Sequence, residues 1–251
     1  MERAVLREDM VDGLIHESRG VLDHEAVEAA MLEVPRHQFV EDEQRAYADA
    51  TQRSHGTRIL APSTVAAIVQ ELDPTPGDSV LVIGAGVGYT AAIIAEIVGA
   101  TNVHAVDIAR PVVYEARRNL ARAGYGQVLV DCRDGARGLP EYGPFDRILL
   151  EAAAVSPPDA LQAQLTTGGQ LVYPEVGSPQ QLVRLTAAGD RHKGKAVSFE
   201  PLLVPGEQAG ALERNRTSRE DDEYARRRLE SRGGWEHEWI SWDDSVRTRS
   251  R

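Results

Sequence analysis

The run Ser79-Val80-Leu81-Val82-Ile83 ends in Gly84-Ala85-Gly86-Val87-Gly88-Tyr89, and an apolar, helix-compatible stretch from Thr90 to Val98 follows at once. A short β-branched run, clustered glycines and then a helix form a strand–turn–helix unit. That unit leaves few folds open. Glycines at such a bend let the chain turn sharply and let a ligand meet main-chain N–H groups at the start of the helix. The alternation continues downstream. Asn102 to Asp107 reads as a second strand and Pro111 to Ala123 as a helix with proline in its first turn. Gln127 to Val130 reads as a third strand leading to Asp134-Gly135, and Phe145 to Leu150 as a fourth. Asp159 to Leu165 reads as a short helix closed by Gly168-Gly169, with further strands at Gln170 to Tyr173 and Gln181 to Leu185. Strands alternating with helices predict an α/β fold with a doubly wound, Rossmann-like parallel sheet. The nearly continuous apolar strands predict burial on both faces.

Upstream, residues 1 to about 60 read as a helical segment. Met10 to His16 carries a short helical pattern. A second helix is expected to start at Asp23, with Val27, Ala30 and Met31 at helical spacing, and to stop at Pro35. Pro62 and Ser63 mark the start of another helix reaching Leu72, with Val65, Ile68 and Val69 as its apolar stripe. After Pro205 the composition shifts. Residues 206–251 hold all three tryptophans, Trp235, Trp239 and Trp242, amid dense charge. The expected division is a domain over 1–205, with its sheet core in 61–205, and a charged extension over 206–251.

Composition narrows the functional classes. Acidic residues exceed basic ones, 39 against 28, for a net charge of −11. A general nucleic-acid binder needs a basic footprint, so that class is set aside. The apolar run near Ala91 to Ala100 is broken by Glu96 and is too short to span a bilayer, and MERAVLREDM lacks the order of a secretory signal. A cytoplasmic protein without membrane partners is expected. Only Lys193 and Lys195 are lysines; the other basic residues are arginine. That bias fits an acidic, salt-adapted proteome or a GC-rich genome. Cys132 is the only cysteine and the seven histidines lack ligand spacing, so no metal is expected. Cys132, at a strand end, is expected to be a buried neutral thiol.

The glycine loop reads Gly84-x-Gly86-x-Gly88 and so misses the Gly-x-Gly-x-x-Gly spacing of dinucleotide sites. Its tighter spacing resembles class I S-adenosylmethionine-dependent methyltransferases. Asp107 follows Gly84 by 23 residues, at the end of the second strand, where a carboxylate can accept bonds from both ribose hydroxyls. Asp134-Gly135, after the third strand, stands where a group reading the adenine amine is expected. The cofactor site is therefore expected to comprise Gly84, Ala85, Gly86, Gly88, Tyr89, Asp107, Ile108, Asp134 and Gly135, with S-adenosyl-L-methionine as the cofactor.

The resemblance narrows further. Val34-Pro35-Arg36-His37-Gln38-Phe39-Val40, Ala46-Tyr47-Ala48-Asp49, His55-Gly56, Ala61-Pro62 and Pro76-Gly77-Asp78-Ser79-Val80-Leu81 together resemble protein-L-isoaspartate O-methyltransferases. So do Pro144-Phe145-Asp146-Arg147-Ile148 and Phe199-Glu200-Pro201-Leu202. The resemblance spans about residues 8 to 205. It implies methylation of the α-carboxylate of L-isoaspartyl residues in damaged proteins, after which the ester collapses to a succinimide and repair follows. A protein or peptide bearing such a carboxylate is the implied partner.

Three departures stand out. The family pattern Gln-Thr-Ile-Ser reads Thr57-Arg58-Ile59-Leu60 here. Val82 stands where the family commonly has Glu, and Glu151 where it often has Thr. Thr57, Arg58 and Leu60 are the substrate-loop positions. Arg58 is either a charge-assisted grip on the acceptor carboxylate or a surface arginine. Two alternatives to isoaspartyl repair stay open: another acceptor, or cofactor binding without catalysis.

Overall fold

Val80–Ile83 is buried along its whole length and forms an interior strand of a seven-stranded sheet. The computed structural model describes residues 3–16, 21–54 and 56–202. The expected extension over 206–251, and His55, lie outside them. Two helices come first, α1 (Arg3–His16) and α2 (Glu25–Glu33), and then 3₁₀ turns at Arg36–Gln38 and Glu43–Arg45. A hairpin of β1 (Gln52–Ser54) and β2 (Thr57–Ile59) follows, and then α3 (Pro62–Leu72). The alternating core consists of β3 (Val80–Ile83), α4 (Tyr89–Val98), β4 (Val103–Asp107), α5 (Arg110–Arg122), β5 (Leu129–Cys132), β6 (Phe145–Leu150) and α6 (Asp159–Gln162). It closes with β7 (Leu165–Glu175), β8 (Gln180–Thr186) and β9 (Arg191–Val197).

The sheet order is β5-β4-β3-β6-β7-β8-β9. β3 pairs in parallel with β4 on one side and with β6 on the other. The chain thus winds outward from β3 in one direction to β5, then returns to β3's other edge as β6. Alternate strand residues feed separate cores, as period-two side chains must. Val80, Val82, Ala105 and Leu149 join α1 to α5 in one cluster. Leu81, Ile83, Val106, Ile148 and Leu150 join Leu139, Leu161 and Tyr173 in the other.

Several sequence expectations need correction. The sheet is mixed: β8 runs antiparallel to β7, and β9 antiparallel to β8. Only four residues separate β7 from β8 (176–179), and four separate β8 from β9 (187–190). Connections that short make hairpins, because a parallel return needs a dozen or more residues. β9 reads Arg191-His192-Lys193-Gly194-Lys195-Ala196-Val197; its charge hid it, and charge is how an edge strand resists pairing with another sheet. Gly168-Gly169 does not close a helix. Both lie inside β7, where the register with β6 shifts between Phe145 and Arg147. The first 60 residues are not wholly helical, since they contain β1 and β2, whose three-residue polar strands carry no periodic signal. Asp23 does not cap α2; His24 holds that position, and the Asp23 and His24 N–H groups both donate to Gln70 Oε1 on α3.

The turn after β5 is pressed against the sheet. A Cβ on Gly135 would lie 2.4 Å from Ile83 Cγ2 and 3.5 Å from Val106 Cγ2. Gly135→Ala is therefore expected to destabilise the fold by about 1–3 kcal/mol, the usual cost of overpacking. Chemical denaturation checks this; an unchanged midpoint would show that the turn lifts off the sheet freely.

Candidate active site

The carboxyl ends of β4, β3 and β6 meet where the winding direction reverses, which is where ligands bind in open α/β sheets. The loop after β3 is tied down there. The Gly84 and Ala85 N–H groups both donate to the Val106 carbonyl, at 2.8 and 2.9 Å, and Gly88 N–H donates to Ala85 O at 2.9 Å. Gly88 has φ of 92°, and a Cβ on it would meet Leu120 Cγ at 3.1 Å. Both the backbone and α5 therefore demand glycine. Asn119, buried on α5, donates from Nδ2 to Val87 O at 3.3 Å. The loop is pinned from two sides before any ligand arrives.

Asp107 ends β4 and does the lateral work. Its Oδ2 accepts from Gly86 N–H at 3.1 Å, and its Oδ1 from Ala109 N–H at 2.9 Å. These bonds fix the orientation of the carboxylate. On the next strand, Arg133 N–H donates to the Asp107 carbonyl at 3.1 Å, which sets Asp134 beside the end of β4. Asp134 is buried, and its Oδ1 accepts from Ala136 N–H at 3.0 Å. Asp107, Ile108, Asp134 and Gly135 thus share one edge with the glycine loop. Tyr89 joins it through its backbone only. Its ring is buried edge-on to Phe39 and beneath the Arg36 guanidinium, 4.5 Å from its centroid. Cys132 corrects the sequence reading: its thiol is exposed, because β5 is an edge strand and Cys132 is its last residue.

The β1–β2 hairpin rests on the glycine loop. The Arg58 carbonyl and Thr57 Oγ1 lie 3.9 and 4.0 Å from where a Cβ on Gly86 would stand. The register sets Arg53 directly opposite Arg58. Arg53 pairs there with Glu200, Nη2 to Oε1 at 3.5 Å, which offsets the repulsion between the two facing arginines. Leu60 behaves differently from its neighbours. Its side chain is buried in the helical-side core, and its carbonyl accepts from Arg36 Nη2 at 2.7 Å. Arg36 is fully buried, also donates from Nε to Ala46 O at 2.8 Å, and is held below its usual pKa by that burial. This arginine joins the end of the hairpin to the helix that follows the glycine loop. The sequence reading placed it in a motif without assigning it this role.

Glu151, the first residue past β6, was also missed as a site residue. Its N–H donates to Ile83 O at 2.8 Å, and its Cβ lies 3.4 Å from where a Cβ on Gly84 would stand. Leu149 precedes it by two, so Glu151 continues the α4 side of the sheet. The Thr90 hydroxyl hydrogen-bonds its carboxyl, yet Oε1 is out of solvent contact and has no hydrogen-bond partner among the described residues. The residue as a whole keeps some exposure, whereas its carboxyl is enclosed. Burial, together with the nearby Asp107 charge, pushes the carboxyl up to about 8 against the Thr90 hydrogen bond.

The model of the protein-L-isoaspartate(D-aspartate) O-methyltransferase family matches residues 6–205. The chain belongs to that family. The protein-L-isoaspartate O-methyltransferase of Methanosarcina mazei is 41% identical over 206 residues, covering 79% of this chain and 83% of that one. The enzyme of the same name from Methanothermobacter thermautotrophicus is 43% identical over 210 residues, covering 78% of this chain and 94% of that one. Among solved structures, a Plasmodium falciparum protein described as a putative member, in complex with S-adenosyl-L-homocysteine, superposes with a TM-score of 0.69. At 23% identity, covering 78% of this chain and 98% of that one, it confirms the fold. S-Adenosylmethionine is the family's methyl donor, and the residues present fit it. A glycine-rich loop at a helix start, carboxylates at two neighbouring strand ends and an enclosed carboxyl oxygen without a partner among the described residues are compatible with a nucleoside bearing a cationic tail. No helix among the described residues is long and apolar enough to cross a membrane.

The pushed-up Glu151 carboxyl has a thermodynamic consequence. Its folded pKa, about 8, exceeds the ordinary carboxyl value of 4.5, so the folded state holds the proton more tightly. Its contribution to stability is present in full below about 4.5 and is lost as pH rises toward 8. Glu151→Gln, which stays neutral, is expected to gain stability relative to the parent as pH rises from 5 to 8. Denaturation midpoints at the two pH values measure it; a parallel offset would mean that Glu151 titrates normally.

Proposed function

We propose that this protein transfers a methyl group from S-adenosylmethionine to the α-carboxylate of L-isoaspartyl residues in damaged proteins. The observation that carries the reading is the hairpin seated on the glycine loop. It puts the substrate-loop residues Thr57 and Arg58 against the cofactor-binding backbone at Gly86. When bound, the cofactor supplies an activated methyl on a sulfonium; a carboxylate oxygen takes the methyl and the sulfur keeps the bonding pair.

The chain's own residues supply position. Gly84, Ala85, Gly86 and Gly88, with the N–H groups of the α4 first turn at Tyr89, hold the donor's amino-acid portion against backbone. Asp107, oriented by the Gly86 and Ala109 N–H groups, accepts from the ribose hydroxyls, and Ile108 flanks the base. Asp134 and Gly135 face the adenine from the end of β5. Arg58 orients the acceptor carboxylate by a charge-assisted pair. The nucleophile is already an anion, so no general base is needed. Catalysis rests on alignment and on exclusion of water from the two charges. Leu60 acts as a buried anchor for the hairpin rather than as a contact to substrate. Substrate is protein or peptide rather than nucleic acid or membrane, a reading the net charge of −11 supports. The same reading places the protein in the cytoplasm.

The direct test is tritiated methyl transfer to an isoaspartyl peptide and to its normal aspartyl counterpart. Base-labile label on the isoaspartyl peptide alone is expected. Label on neither, with calorimetric cofactor binding intact, would move the activity to another acceptor or remove catalysis altogether. Two variants divide the site. Asp107→Ala is expected to weaken S-adenosylmethionine binding by about 1–3 kcal/mol, through lost charge-assisted bonds. Arg58→Ala is expected to lower isoaspartyl turnover roughly tenfold with cofactor affinity unchanged, which is the scale of one ion-paired hydrogen bond. Equal loss of both quantities would make Arg58 structural.

A further inference from the structure

The enclosed carboxyl of Glu151 is an expensive feature with no structural return. Burying a carboxyl oxygen without a partner costs free energy, and native proteins rarely keep such a group unless something else meets it. Oε1 has no partner among the described residues. Glu151 also sits at the one point of the sheet where the winding reverses, its backbone bonded to Ile83 and its Cβ packed toward Gly84.

Direction along the ligand follows from strand order. Asp134 ends β5 and Asp107 ends β4, so a nucleoside held by these two lies over the β5–β4 side of the glycine loop. The rest of the molecule must run across Gly84 and Gly86 toward β6, because β6 is the next strand in that direction. Glu151 is the first residue beyond the end of β6. In an adenosylmethionine the part that follows the nucleoside carries both positive charges, the sulfonium and the α-ammonium. We propose that Glu151 is the anionic counterpart of the cationic end of the methyl donor, a specificity-determining residue that favours a charged donor over a neutral one. This rests on the methyl-donor reading of the site. Two neighbours keep the carboxyl ready for this. Thr90, in the first turn of α4, orients it. Asp107 is the charged group that acts on it, raising the cost of a second anion until a cation arrives. Binding of the cation then releases a proton near neutral pH.

Isothermal titration calorimetry on the full chain tests this, using S-adenosylmethionine and S-adenosylhomocysteine as ligands. Titrations at pH 7 in two buffers of different ionisation enthalpy give the number of protons released. The parent is expected to release a fraction of a proton with S-adenosylmethionine. Glu151→Gln is expected to abolish that release and weaken S-adenosylmethionine roughly ten- to hundredfold, the scale of a charged hydrogen bond. Glu151→Thr, a second and smaller variant, is expected to behave alike, and thermal unfolding of both variants confirms that they fold. A larger loss for S-adenosylmethionine than for S-adenosylhomocysteine is expected; an equal loss would move Glu151 to the ammonium common to both and overturn its preference for the charged donor. Unchanged affinity and unchanged proton release in folded variants would overturn the proposal. If the parent itself bound neither ligand, the cofactor reading would fall first, an outcome distinguishable from failure at Glu151 alone.

Discussion

The seat of β3 between β4 and β6 is the constraint on which the rest depends. Four consecutive apolar residues, all buried, give this strand two parallel partners and a core on each face. Because both neighbours run in the same direction as β3, all three release their chains at one edge. Backbone leaving that edge loses its ladder partners and must find others. The glycine loop finds them in the Val106 carbonyl and the Asp107 carboxylate, and Glu151 in the Ile83 carbonyl. The bonds that finish the sheet are thus the same bonds that shape the site.

The edge gathers acidic side chains. Asp107, Asp134 and Glu151 converge on it, while the hairpin above brings Arg53 and Arg58. The division suits a reaction between a cationic donor and an anionic acceptor. Acids lie on the sheet side, where the proposed site holds the donor, and arginines on the hairpin side, where the proposal brings the acceptor. Arg36 couples the two layers. From a fully buried position it bonds the Leu60 carbonyl at the end of the hairpin and covers the ring of Tyr89 at the start of α4. Such a charge is costly to bury, and two carbonyl acceptors with an aromatic face offset much of that cost.

Much of this was legible in the chain itself. The strand-glycine-helix unit at 79–98, the acids at 107 and 134 and the family motifs located the sheet edge and its cofactor, because period, glycine spacing and turn chemistry are local properties. What escaped was non-local. β9 is polar throughout and exists only because β8 offers it an edge. β1 and β2 are three residues each and are recognisable only where they rest on Gly86. Cys132 was read as a buried thiol at a strand end, whereas that strand, β5, is an edge of the sheet and leaves the thiol exposed. Glu151 looked like a mere departure from a motif. Nothing in its neighbours along the chain, Leu150 and Ala152, says that its carboxyl is enclosed. Moreover, the acid missing at Val82 and the acid gained at Glu151 are near each other only through the pairing of β3 with β6.

The sequence by itself determined the α/β alternation, the position and chemistry of the glycine loop, and membership of a methyltransferase family. These follow from short-range periodicity and from residue types that only certain backbones accept. Tertiary structure alone decided the antiparallel closing strands, the hairpin seated on the cofactor loop, the buried Arg36 tether and the strained state of the Glu151 carboxyl. Each of these depends on which distant segments come to share a dielectric environment and a set of hydrogen-bond partners, and no local pattern encodes that.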